Sequence, residues 1–267
     1  MHCRLPYSVL TVLLLACSAF AQAAPVPQDP KLPGELKELK AMVARPKMED
    51  DFRAVDLIQT LMKGIDQRNP KDSELIAKAL GDAFQNGKVR PLDSMHLYDE
   101  AAKSLSLLGA IGARELYKAV TSPRFKSRDN AKVRAKLLAA LGKTKDEKQV
   151  DFLLEQALRS PDDEVIGAAG EALGNFTELE ISRRRDVVKQ LVSRYGEWDL
   201  KASRPDSNDP NAPIDFSLQD ARKTLSRIQG GWNSALSSLT GQTFNTAPDW
   251  QRFTNKNKDW TPSGGKK

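Results

Sequence analysis

The densest chemistry in the chain is positive charge between residues 124 and 148, where Lys and Arg far outnumber Asp and Glu. Arg128, Lys132, Lys136, Lys143 and Lys145 are the members with the best claim to bind something. Lys132 and Lys136 stand four residues apart, so on a helix they share one exposed stripe, while Arg134 turns toward the apolar arc of Val133, Leu137 and Leu141. Ammonium and guanidinium groups at this density suit an acidic protein, lipid headgroups or an anionic envelope polymer. Aromatic side chains are not interleaved with them, which argues against nucleic acid as the partner. The competing reading is a solvated helix face.

Catalytic and metal chemistry have less to work with. His2, Cys3 and Cys17 all fall near the N-terminus, leaving His96 as the only other histidine. A Ser-His-Asp arrangement could be built only around His96, and a His/Cys zinc site is not expected. Asp206, Asn208, Asp209 and Asp215 suggest a calcium loop, but the required Gly is missing and position 217 is Ser, not Glu. No phosphate loop or Gly-x-Ser-x-Gly occurs. The expectation is no catalytic residue, no metal and no cofactor. Asn175-Phe176-Thr177 is a glycosylation sequon at a repeat end, and Arg183–Arg185 spread round a helix.

What must position these groups is a run of helices. Leu80-Gly81, Leu108-Gly109, Leu141-Gly142 and Leu173-Gly174 each close an Ala-rich amphipathic stretch, and they recur roughly 30 residues apart. Alanines at helical spacing let helices approach, Leu fills the seam, and the Gly is expected to stop each helix at positive φ. Partner helices are predicted at 113–122, 147–160 and 180–195, two of them ending at Ser122-Pro123 and Ser160-Pro161, where Pro cannot continue the helix. Helix pairs of this length cannot bury a face alone, so the fold class is all-α, an α-solenoid of antiparallel pairs. The 197–216 stretch reads as a long loop, and the last helices, over 217–240, are expected to start on Ser217 and to break at Gly230-Gly231.

"LRSPDDEVIGAAGEALGNFTE" at 158–178 resembles a HEAT repeat and is similar to HEAT-like units of the phycobilin-lyase type; "SRDNAKVRAKLLAALGKTKD" at 127–146 follows the same pattern. The resemblance implies that Asp129 and Arg134 tie neighbouring repeats together, and that the tie is broken in the next unit, where Ile166 replaces the Arg. It is clear over 72–196 and weaker from 49. The run "GWNSALSSLTGQTFNTAPDWQRF" is similar to a tail of exported bacterial HEAT-repeat proteins, with Phe253 where Trp is common. Trp232, Phe244 and Trp250 are expected to cover the open end of the stack, since a terminal repeat needs a lid.

The first residues combine one Arg, the apolar run Leu10–Ala16 and small residues at Ala21 and Ala23, a secretory signal peptide over 1–23. Leu14-Leu15-Ala16-Cys17 also has lipobox character, so a lipid anchor on Cys17 is the alternative. A Pro-rich linker is expected over 24–48, the solenoid over 49–245, and a cap with a flexible basic tail over 246–267. A formal net charge of +6 with 28% charged and 40% hydrophobic residues fits a soluble chain with its own core. The function expected is an exported, non-catalytic, protein-binding scaffold using the face made by the second helix of each pair. The alternative is a lipid-anchored or wall-associated module that binds anions through 124–148; a lyase-like enzyme is third.

Overall fold

A computed structural model describes residues 26–207 and 213–262. The 1–23 leader with Cys17, part of the acidic loop (Asn208 and Asp209 included) and the last five residues lie outside the described residues.

Eleven α-helices occupy the described residues, with no strand among them. They are α1 (Leu32–Val43), α2 (Asp51–Met62), α3 (Pro70–Gln85), α4 (His96–Ser106), α5 (Gly109–Val120), α6 (Ala131–Lys143), α7 (Val150–Arg159), α8 (Asp163–Leu173), α9 (Ile181–Ala202), α10 (Phe216–Thr240) and α11 (Ala247–Lys256). Odd-numbered helices form one layer and even-numbered helices the other; helices of the even layer pack on their predecessors throughout, and the two layers pack across the stack, while in the odd layer α5 and α7 are the weakly joined neighbours. This is an α-solenoid of helix pairs. Its core is one continuous seam of Leu, Ile, Val and Ala from Leu32 to Trp260.

Local chemistry sets many of the helix starts. The Asn69 side chain accepts from the Lys71 amide ahead of Pro70, and Thr246 accepts from the Asp249 amide ahead of Pro248. Glu180 accepts from the amides of Ser182 and Arg183 to open α9, and these bonds, led by the Ser182 hydroxyl, hold its carboxyl below the usual range.

Several sequence expectations are corrected. The stretch read as a Pro-rich linker contains α1, because Pro33 sits in the first turn and Leu32, Leu39, Met42 and Val43 bury one stripe. Helix α9 runs past residue 196 to Ala202, which is buried, and Trp198 packs beneath the Arg194 guanidinium, 4.8 Å from the ring centroid. Asp215, not Ser217, caps α10 by accepting from the Leu218 amide. Gly230-Gly231 does not break α10: a Cβ on Gly231 would lie 2.9 Å from the Glu171 carboxylate, so the glycine permits close packing on α8. That contact outweighs the roughly 1 kcal/mol disadvantage of Gly inside a helix.

The Leu-Gly pairs likewise do not end helices at positive φ. Only Gly109 has it, at 53°, opening α5. Gly142 faces Ala172, where an added Cβ would lie 2.6 Å from the Ala172 Cβ, and Gly174 faces Ala235 at 2.7 Å from its Cα. These glycines bring the backbones of α6, α8 and α10 together. Within the stretch expected as cap and flexible basic tail, α11 is helical and Trp260 is buried, its carbonyl accepting from Arg185 at 2.9 and 2.7 Å, while residues 263–267 lie outside the described residues.

Candidate functional site

Packing is looser in the odd-numbered layer than in the even-numbered one. α5 and α7 pack against each other less closely than the other neighbours of that layer. Between them lies an open cleft of about 880 Å³. Its floor is Tyr117 and Phe152, edge to face with ring centroids 4.8 Å apart, with Ile111 beside them. Tyr117 is 41% exposed, well above a core aromatic. Ile111, Arg114 and Lys118 line the α5 wall and Phe152 and Glu155 the α7 wall, each row at three- to four-residue spacing, hence on one helix face.

One buried carboxylate organises the α5 rim. Glu115 is 6% exposed and faces α3, where Gly81 leaves room for it; an added Cβ there would be 3.0 Å from its Oε2. Lys118 Nζ donates to Glu115 Oε1 at 2.9 Å, and Arg114 Nε donates to the same oxygen at 3.2 Å. Both cations stay half in water while their positions are held from below. Tyr117 and Phe152 read in sequence as seam residues of their helices; the gap between the helices, which the pattern does not encode, leaves them open.

Two of the five residues of the expected basic site are engaged by acids. Lys136 Nζ is held by both Asp99 oxygens at 2.6 and 2.7 Å, and Arg128 stands 3.8 Å from Asp162. Lys132, Lys143 and Lys145 are exposed and make no ion pair among the described residues. Lys145 lies beyond the far end of α6 from Arg128, some 20 Å along a thirteen-residue helix.

The inter-repeat tie also differs from the one the resemblance implies. Arg134 Nη2 donates to Asp162 Oδ2 of the following unit at 2.6 Å, whereas Asp129 is exposed and accepts from the Ser127 hydroxyl at 3.2 Å. The tie is not broken at the next seam but reversed: Asp163 meets Lys223 at 3.1 Å and Glu164 meets Arg227, with the acids now on α8 and the bases on α10.

Of the three cap residues, Trp232 sits within the stack, wholly buried against Gly170 and donating to the Ile166 carbonyl at 3.3 Å. Trp250 and Phe244 meet edge to face at 4.9 Å over the last helices, beside Phe253. Trp250 Nε1 donates to Asn233 Oδ1 at 2.9 Å. His96 opens α4 exposed, its ring tilted against Phe52 at 5.1 Å; among the described residues no hydrogen bond joins it to a serine or carboxylate. In the acidic loop, Asp206 is engaged by Arg222 at 3.0 Å and Asp215 by its capping role.

Residues 97–194 match the family model for HEAT repeats, a span from α4 through most of α9 that contains the cleft. No curated protein and no solved structure matches the chain.

Proposed function

With HEAT repeats over residues 97–194 as the premise, we propose that the protein is an exported, non-catalytic scaffold that binds another protein across the odd-numbered layer, the first helices of the pairs, in place of the second-helix face expected from the sequence. HEAT repeats generally serve protein interaction, because a stack of helix pairs offers a long surface without enclosing a reaction chamber. The observation that carries the reading is the α5–α7 cleft: a semi-exposed aromatic pair flanked by charged rims, the composition of a binding hot spot. Export is supported by the leader sequence alone. None of the helices among the described residues is long and apolar enough to cross a membrane.

The test is capture of the tagged full chain from the exported fraction, then reconstitution of the complex from purified components by gel filtration. A stoichiometric complex is the expected result; a chain that never leaves the cytoplasm removes export, and failure to form any complex removes the scaffold.

A second reading draws on Lys132, Lys143 and Lys145, exposed cations of the basic stretch that have no acidic partner among the described residues. In it, the chain is anchored through Cys17 and holds anionic headgroups or wall polymer. Unchanged sedimentation of the K132E/K143E chain with phosphatidylglycerol vesicles and with wall polymer eliminates it. The mass of the mature N-terminus decides the anchor.

A further inference from the structure

The two rims of the α5–α7 cleft differ in sign. Along α5 stand Arg114 and Lys118, with side chains 56% and 58% exposed. Along α7 stand Glu155, exposed and without an ion pair among the described residues, and Asp151, which already engages Arg183 on α9. Lys148 and Asp146 close one end, in the turn before α7. Between the rims the floor is apolar, and Ile111 to Lys118 covers about two helical turns, some 10 Å.

Both walls are helices, whose backbone donors and acceptors are consumed internally. An extended peptide lying there would find no strand edge to pair with and would gain no backbone hydrogen bonds from the walls. A helical segment satisfies them itself, and its side-chain ridges match rows spaced three and four residues apart. A polyanion is disfavoured by Glu155 and Asp151, and a polycation by Arg114 and Lys118.

We infer that the cleft receives a two-turn amphipathic helix of the partner protein, with a branched or aromatic side chain on Tyr117 and Phe152, carboxylates beside Arg114 and Lys118, and Lys or Arg beside Glu155. This rests on the scaffold reading and supplies the chemistry of its partner. Such a helix takes the place in the odd-numbered layer where α5 and α7 leave each other uncovered.

The experiment uses the full mature chain and three labelled, capped helical peptides that share a Leu/Trp stripe, read by fluorescence anisotropy. One carries Glu on one flank and Lys on the other, one carries Lys on both, and one carries Glu on both. The mixed peptide is expected to bind saturably and about tenfold more tightly than either of the others. Tyr117→Ala weakens it at least tenfold, Tyr117→Phe retains it, and Glu155→Lys transfers the preference to the all-Glu peptide. Both substituted side chains are exposed, and a cooperative thermal unfolding curve shows that each variant is folded. Equal binding of the three peptides, tightest binding of the all-Glu peptide by the unaltered chain, or indifference to Tyr117→Ala overturns the inference. A reconstituted partner whose affinity ignores both Tyr117→Ala and Glu155→Lys also overturns it, and leaves the scaffold standing. Selective peptide binding by a chain that forms no cellular complex keeps the cleft and removes the scaffold.

Discussion

The seams α6–α8–α10 and α5–α7 are built from the same repeat unit and reach opposite outcomes. In the first, Gly142 meets Ala172, Gly174 meets Ala235 and Gly170 meets the indole of Trp232, so backbones and rings touch with no room for a methyl group. In the second, Tyr117 and Phe152 meet edge to face as the floor of an open cleft, and the walls end in charge. Small residues close a seam by removing side chains, and large aromatics without a small partner opposite them hold it open. The even-numbered layer therefore carries the stability, and the odd-numbered layer has surface to spare between α5 and α7.

The largest effect should come from the closed seam. Trp232→Ala removes a fully buried indole and its bond to the Ile166 carbonyl, for an expected loss of about 3–5 kcal/mol by denaturant unfolding. Next, Gly142→Val forces a side chain into the Ala172 backbone and should lose about 1–3 kcal/mol; a neutral result there would show that the seam has slack and would weaken the contrast. Arg134→Ala leaves the Asp162 carboxylate, 6% exposed, with only the distant Arg128, and should lose about 2 kcal/mol in the same measurement.

A pH series probes the closed seam from a second side. Burial against Trp232 raises the Tyr195 hydroxyl above its ordinary value of 10.0, while the nearby Asn233 amide pulls it the other way. A raised folded pKa means that the neutral phenol is favoured in the fold. That contribution is complete below about pH 10 and is lost as pH climbs from there through the higher folded value. Tyr195→Phe should therefore flatten the alkaline fall in thermal stability. The smallest effect belongs to the open seam: Tyr117→Ala should lose about 1 kcal/mol or less, because a side chain 41% exposed loses little beyond its edge-to-face contact with Phe152. A loss as large as that of Gly142→Val would mean that the cleft is structural.

The fold was legible because its signal repeats. Ala, Leu and Gly at helical spacing specify pairs that must stack, and each repetition reinforces the last. Position-dependent meaning was harder to read. Gly142, Gly174 and Gly231 have the residue type of a stop, but their role depends on what lies opposite, and that is Ala172, Ala235 and Glu171 from other helices. Pro33 looked like tether chemistry although a first turn accommodates it. The cleft was illegible for the same reason. Nothing near Tyr117 records that α5 and α7 will leave a cleft there, and of the conspicuous charges at 124–148 only Asp146 and Lys148 line it. The resemblance identifies Arg134 as a tie between repeats, and its acidic partner is Asp162 of the next unit, not Asp129.

The reversal of ion-pair polarity along the even-numbered layer bears on how long this solenoid can be. Arg134 on α6 looks forward to Asp162, while α8 presents Asp163 and Glu164 to Lys223 and Arg227 of α10. Excising the α7–α8 unit would set the guanidinium of Arg134 against Lys223 and Arg227, like charge on like, and duplicating it would set acid against acid. The joints α6–α8 and α8–α10 therefore carry opposite charge order, and a unit removed or repeated here would meet like charge at the new joint.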